Sequence, residues 1–159
     1  MSIFLKIAEV PGESTAKGFE QMIECSSYSH GVSQAATATQ SGSLGDANCH
    51  HQDVTITKLC DSASPLLAQN CAEAKNFPEV TISITKTVAN QQIAYFVVTL
   101  TDCIISMVSM SGSDEGAPIE SVSINFAKIT WNYTSVDKTG TVGGTTEGGW
   151  DLTTGAVPS

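Results

Sequence analysis

The stretch from Ile119 to Tyr133, IESVSINFAKITWNY, contains no glycine or proline, and apolar and polar residues alternate through its first half. Val122, Ile124 and Phe126 fall on one side and Ser121, Ser123 and Asn125 on the other, the period of a half-buried strand. Beyond Ala127 and Lys128 the parity changes, because Ile129, Trp131 and Tyr133 are odd-numbered where the earlier apolar residues are even. A strand that swaps its buried face contains a bulge, leaves one sheet for another, or passes from its own core to that of a neighbouring subunit. Each alternative requires a closed or layered β structure. The last would make Ile129, Trp131 and Tyr133 subunit-interface residues, together with the second apolar face of Ile93 to Leu100.

The rest of the chain carries mostly the same two-residue period. Ile3, Leu5 and Ile7 predict a first strand closed by Pro11 and Gly12, and Met22 to Ser33 a second. In that second strand Ile23 and Cys25 share a parity with Ser27 and Ser29, so an apolar face turns polar toward water or a wet cavity. Small and polar residues predict a long loop over about 34–52, of a length that is usually functional or an interface arm. Asp53 to Leu59 resumes the strand pattern. The period then becomes helical over about 62–75, with Ser62 or Ser64 as N-cap, Pro65 in the first turn and Phe77-Pro78 as the stop. Val80 to Val88, Ile93 to Leu100 and Cys103 to Met110 read as three further strands, the first two joined by a turn over Ala89 to Gln92. A loose glycine-rich segment over about 137–149 leads to a last short strand at Trp150 to Leu152. The expected fold is mainly β: a barrel or sandwich of about eight strands with one helix packed on its side, in a single domain.

At 159 residues the chain can bury roughly 70% of the surface it would expose unfolded, so neither metal nor disulfide is needed to hold it. Sixteen acidic against seven basic side chains give a net charge of −9, with no basic patch, which disfavours nucleic acid and anionic membranes as partners. Met1 to Ile7 lacks the pattern of a signal peptide, and no segment is apolar for long enough to cross a bilayer, so the expectation is a protein made in the cytosol. The five cysteines form no CxxC pair and leave at least one thiol unpaired, as suits a reducing compartment. Cys49, His50 and His51 are the one cluster of soft ligands. Adjacent residues of a strand point to opposite faces, so two loop histidines are expected there rather than zinc.

No HExxH, phosphate-binding loop or GxGxxG is present, and no nucleophile, base and orienting group can be assembled from the scattered Ser, His and Asp residues. The expectation is a protein without catalytic activity, cofactor or metal. Composition and pattern alone leave an acidic β domain that binds something or assembles, including a surface-exposed β-sandwich of adhesin or lectin type.

The order of the motifs goes further. FLKI (Phe4 to Ile7), GES (Gly12 to Ser14), YSHGVSQ (Tyr28 to Gln34), DSASPLL (Asp61 to Leu67), FPEV (Phe77 to Val80), NFAKITWNY (Asn125 to Tyr133) and GGWDL (Gly148 to Leu152) run nearly end to end. In this order and at this length the chain resembles the haemolysin-coregulated proteins, the inner-tube proteins of bacterial type VI secretion systems. The resemblance implies a β-barrel with a helix on its side, closed into homohexameric rings that stack into a tube. It further implies a surrounding contractile sheath, a spike protein at the tube tip, effector proteins in the lumen, and export by the type VI machinery without a signal peptide. By the same resemblance Ser29 lines the lumen and touches effectors. Asn90 lies at one rim of the ring and Thr153 at the other, while the arm containing Ser41, Gly42, Ser43, Leu44, Gly45 and Asp46 reaches toward the neighbouring ring. The chain departs from the family in carrying His30 where an aromatic residue is frequent, and a loop from Ser41 to Asn48 poorer in glycine.

Overall fold

The computed structural model describes residues 1–35 and 48–158. Within them the elements run β1 (Ser2–Ile7), β2 (Ile23–Cys25), β3 (Ser27–Ser29), β4 (Val32–Ala35), β5 (Asn48–His51), β6 (Val54–Leu59), α1 (Ser64–Glu73), β7 (Asn76–Val88), β8 (Gln91–Ser111), β9 (Ile119–Val136) and β10 (Val142–Asp151). Eight strands form one antiparallel sheet in the order β2-β1-β7-β8-β9-β6-β3, with β10 added to β9, and β4 and β5 form a separate pair. The expected second strand, Met22 to Ser33, is three short ones because it changes partners. Ile23 to Cys25 pair with β1, the Ser26 amide donates to the Thr57 carbonyl at 2.6 Å, and Ser27 to Ser29 pair with β6. This crossing segment links the two ends of the sheet into a nearly closed barrel, with β10 paired on one side only among the described residues.

The face swap in β9 belongs to a corner shared by three strands. Phe77, Cys103 and Phe126 lie in one row across β7, β8 and β9, and Val80, Leu100 and Ile129 in another, and all six side chains are buried. Between these rows Pro78, Asp102 and Ala127 make no ladder pair with one another. Proline has no amide hydrogen to give, and Asp102 takes a φ of 52°, the left-handed region that short polar side chains tolerate. Because all three strands bend at the same level, their register is kept while the buried parity changes. At this level β9 also exchanges one neighbour, pairing with β6 through Ile124 and with β10 from Lys128 onward. The corner turns the second apolar face back onto the protein's own core. It also makes β8 one strand of 21 residues where the sequence predicts two.

Three further expectations are corrected. The 137–149 segment is mostly strand: its glycines pass beside β9, Gly148 opposite Trp131 and Gly149 opposite Thr130. A Cβ at Gly149 would lie 3.0 Å from the Ile129 carbonyl oxygen, so close backbone approach rather than looseness explains that glycine. Asn48 to His51, predicted as loop, pair with β4. The helix is capped by Ala63 without a side-chain bond, not by Ser62 or Ser64, and it ends at a left-handed Ala74 before Phe77 is reached. Ser64 serves elsewhere, in a buried network with Lys58, Asp61 and Glu120.

The core fills the barrel with Leu5, Ile23, Val54, Ile56, Ile82, Val98, Leu100, Ile124 and Ile129, none of them accessible. Each such side chain contributes about 1.5–3 kcal/mol by leaving water. The helix lies against β8 and adds Leu67 to the core.

Candidate functional site

Ser29 ends β3 on the outer face of the barrel, and the register aligns its face with three more strands. Ser29 lies opposite Thr55, Thr55 opposite Ser123, and Ser123 opposite Met107; two rows away, Ser27, Thr57, Ser121 and Ser109 follow one another in the same way. The row between them, Tyr28, Ile56, Val122 and Val108, points the other way. Ile56 and Val122 are wholly buried there. The alternation thus produces an apolar inner face and an outer face carpeted with hydroxyls. Thr55 Oγ1 and Ser123 Oγ share a hydrogen bond of 3.0 Å, which fixes the centre of that carpet.

Asp53 extends the face at one end. Its carboxylate accepts from Ser106 Oγ at 2.6 Å and from Asn125 Nδ2 at 2.8 Å. Ser106 lies where the β8–β9 register shifts between Ile105 and Met107, and its hydroxyl is exposed because the extra residue of a bulge is not held in the ladder. A surface of neutral hydroxyls donates and accepts hydrogen bonds with equal ease. Away from Asp53 it therefore suits weak contact with chemically varied surfaces. Among the described residues no three His, Cys, Asp or Glu side chains are placed to hold a metal ion.

The remaining sequence-predicted residues are dispersed. Asn90 forms with Ala89 the two-residue turn between β7 and β8, both with positive φ, 62° and 51°, the hairpin turn that matches strand twist. Thr153 sits in the turn after β10, where its amide and hydroxyl both donate to Asp151 Oδ1, at 2.9 and 2.6 Å. These bonds hold the Asp151 carboxyl below the usual carboxylate range. The Leu152 amide ties this turn to the Ala127 carbonyl, so Thr153 lies beside the corner of β9, whereas Asn90 lies beyond its Val136 end. Ser41, Gly42, Ser43, Leu44, Gly45 and Asp46 fall outside the described residues. Of the expected interface side chains, Ile129 is corrected: it is 0% exposed inside the core and unavailable to a neighbour. Trp131 is half-buried against that core, and Tyr133 is 45% exposed, with its ring edge-on to Tyr95 at 6.3 Å.

The comparisons with known proteins decide the family. Residues 4–133 match the family model described as "Type VI secretion system effector, Hcp". This chain belongs to the Hcp family. Protein hcp1 of Pseudomonas aeruginosa is 31% identical over 96% of this chain and 95% of its own. A solved type six secretion system protein superposes with a TM-score of 0.90 at 26% identity, covering 99% of each chain. Hcp1 from Salmonella typhimurium superposes with a TM-score of 0.81 at 30% identity, over 99% of this chain and 98% of that one. The barrel and its side helix are the Hcp fold, and the protein is a structural tube and effector protein of type VI secretion. The adhesin-like or lectin-like sandwich receives no support from these relatives.

Hcp membership leaves the hydroxyl face as the feature that the sequence reading saw only in fragments. The Ser and Thr alternation was visible strand by strand, at Ser27 and Ser29 and at Ser121 and Ser123. Only the antiparallel register shows that four strands present it together.

Proposed function

We propose that this Hcp protein is a tube subunit: six copies close into a ring, with the hydroxyl face of β3, β6, β9 and β8 turned to the lumen. The observation that carries this reading is the alignment of Ser29 with Thr55 and Ser123. A wall of neutral hydroxyls lets effectors of varied sequence be held without being trapped. Rings then stack head to tail through the turns at Asn90 and Thr153 and through the arm of Ser41 to Asp46. The spike caps the tube, and the sheath surrounds and expels it. The subunit leaves the producing cell by the type VI machinery. It acts without catalysis, cofactor, nucleic acid or membrane insertion.

A closed ring needs two different complementary surfaces on each subunit. Tyr133 and the exposed side of Trp131 supply part of one, on the stretch of β9 that carries β10. Negative-stain electron microscopy together with light scattering tests the proposal directly. Six-fold rings are expected, and a monomer at every concentration would refute the assembly.

A further inference from the structure

We propose that His30 and His51 form an acid-released clamp that holds the β4–β5 hairpin on the barrel. Their rings lie 5.8 Å apart between centroids, at the base of the hairpin, where His51 pairs with Val32 and the Gln52 amide donates to the Gly31 carbonyl. Both pack on β9. His30 meets the edge of Phe126 at 5.6 Å and Trp131 at 6.2 Å; His51 stacks on Trp131 at 6.3 Å with an interplanar angle of 18° and meets Phe126 at 6.1 Å. Beyond this base the hairpin leaves the barrel: Val32, Ser33, Gln34 and His50 are exposed, and β4 and β5 pair with no other strand among the described residues.

The clamp suits neutral imidazoles and no others. Among the described residues His30 Nε2 and both ring nitrogens of His51 are buried without a hydrogen-bond partner. A proton added there has no acceptor, and two cations would face each other across the same apolar contact. Attraction of a cation to the faces of Phe126 and Trp131 favours one charge, but the second must enter beside the first. The charged and titratable groups of the surrounding elements offer no relief. His50 adds like charge, and the Asp53 carboxylate is engaged by Ser106 and Asn125. Neither Asp102 of β8 nor Lys128 of β9 is among the groups that shift the two rings. Burial accordingly lowers the pKa of both rings, with His51 pushing His30 further down and outweighing, together with burial, a backbone hydrogen bond with Gln52 that acts the other way; His50 pushes His51 down.

The sign follows from these lowered values. Docking is fully favoured above the ordinary imidazole pKa of about 6.5 and is lost as pH falls below it, since the released hairpin binds more protons than the docked one. Amide hydrogen exchange of the intact protein, corrected for intrinsic rates, tests this at about pH 7.5 and about pH 5. Ser33 and His50, whose amides donate to each other's carbonyls across the hairpin, should lose protection by roughly tenfold or more in acid, while Val98 and Ile124 keep theirs. The double variant His30→Phe/His51→Phe retains aromatic packing and should abolish that acid loss. Unchanged hairpin protection in the wild type, or the same loss in the double variant, overturns the proposal. NMR titration of the wild-type rings needs no variant, and values at or above about 6.5 for both would equally overturn it.

Discussion

Lys58 Nζ lies 2.6 Å from Glu120 Oε2, and both side chains are wholly buried. The ammonium also reaches Asp61 Oδ1 at 2.9 Å and the Leu59 carbonyl at 2.9 Å, while Ser64 Oγ donates to Glu120 at 2.8 Å. The network ties β6, β9 and the start of the helix together where the helix lacks a side-chain cap. Removing one partner strands the other charge in the core, whereas removing both replaces the network with packing. Lys58→Met alone should cost about 3–5 kcal/mol, and Lys58→Met/Glu120→Leu should recover most of it. Denaturant unfolding checks this; equal losses in both variants would show that the barrel end depends on the charges for more than their mutual satisfaction.

The same contact sets an alkaline limit. Burial disfavours the Lys58 charge, but hydrogen bonds and attraction from Glu120 and Asp61 outweigh it, so the pKa stands above the ordinary lysine value. A raised folded pKa contributes stability that is complete below the unfolded value, about 10.5, and lost as pH rises through the folded one. Thermal unfolding should therefore show a decline in Tm starting above about pH 10.5, and this decline should vanish in Lys58→Met/Glu120→Leu.

The turn between β7 and β8 offers a gain. Ala89 has a φ of 51°, where its Cβ crowds the following carbonyl, and its side chain is exposed. Asn tolerates this region and suits the first central position of such a turn, so Ala89→Asn should raise the stability of the subunit by about 0.5–1 kcal/mol. An unchanged midpoint in denaturant would contradict the turn geometry.

Sequence alternation was enough to read β1, β6, β7 and β9, because a half-buried strand prints its two faces as a period of two. It could not show the corner, since Pro78, Asp102 and Ala127 lie 24 and 25 residues apart in sequence and act together only through register. That is why Ile129 was open to reading as a subunit-interface residue: odd parity on a straight strand leaves its own core, but on one bent in concert with its neighbours it returns to that core. The strand β10 was hidden for a different reason. Its four glycines carry no side-chain pattern, so pairing with β9 is legible only from the backbone. Ser29 was placed by resemblance and by the polar turn of its strand's face, whereas the change of partner at Ser26 was not legible, because it depends on one amide finding Thr57.

Exposed Ser29 should tolerate substitution within about 0.5 kcal/mol, as surface positions usually do. Ser29→Gln puts a longer amide onto the hydroxyl face, so rings should form as before while retention of a co-purified effector falls. Equal effector retention by both proteins would remove Ser29 from the lumen wall and with it the assignment of that face.

Stacking should be limited by charge. Six chains of −9 give a ring of −54, and like charges repel across a ring face. At about 0.15 M salt the screening length is about 8 Å, so repulsion acts mainly at close contact and association of rings should strengthen as salt rises. Asn90 and Thr153 are separated along β9 by the stretch from Ala127 to Val136, whose rise of about 30 Å is enough to set two rims apart. Asn90→Cys/Thr153→Cys, in a background with the five native cysteines replaced, should give long tubes under oxidant that disperse under reductant. The native thiols must go because Cys60 is exposed and would cross-link elsewhere. Isolated rings or disordered aggregate after oxidation would show that these two turns do not meet, and would leave the ring itself standing.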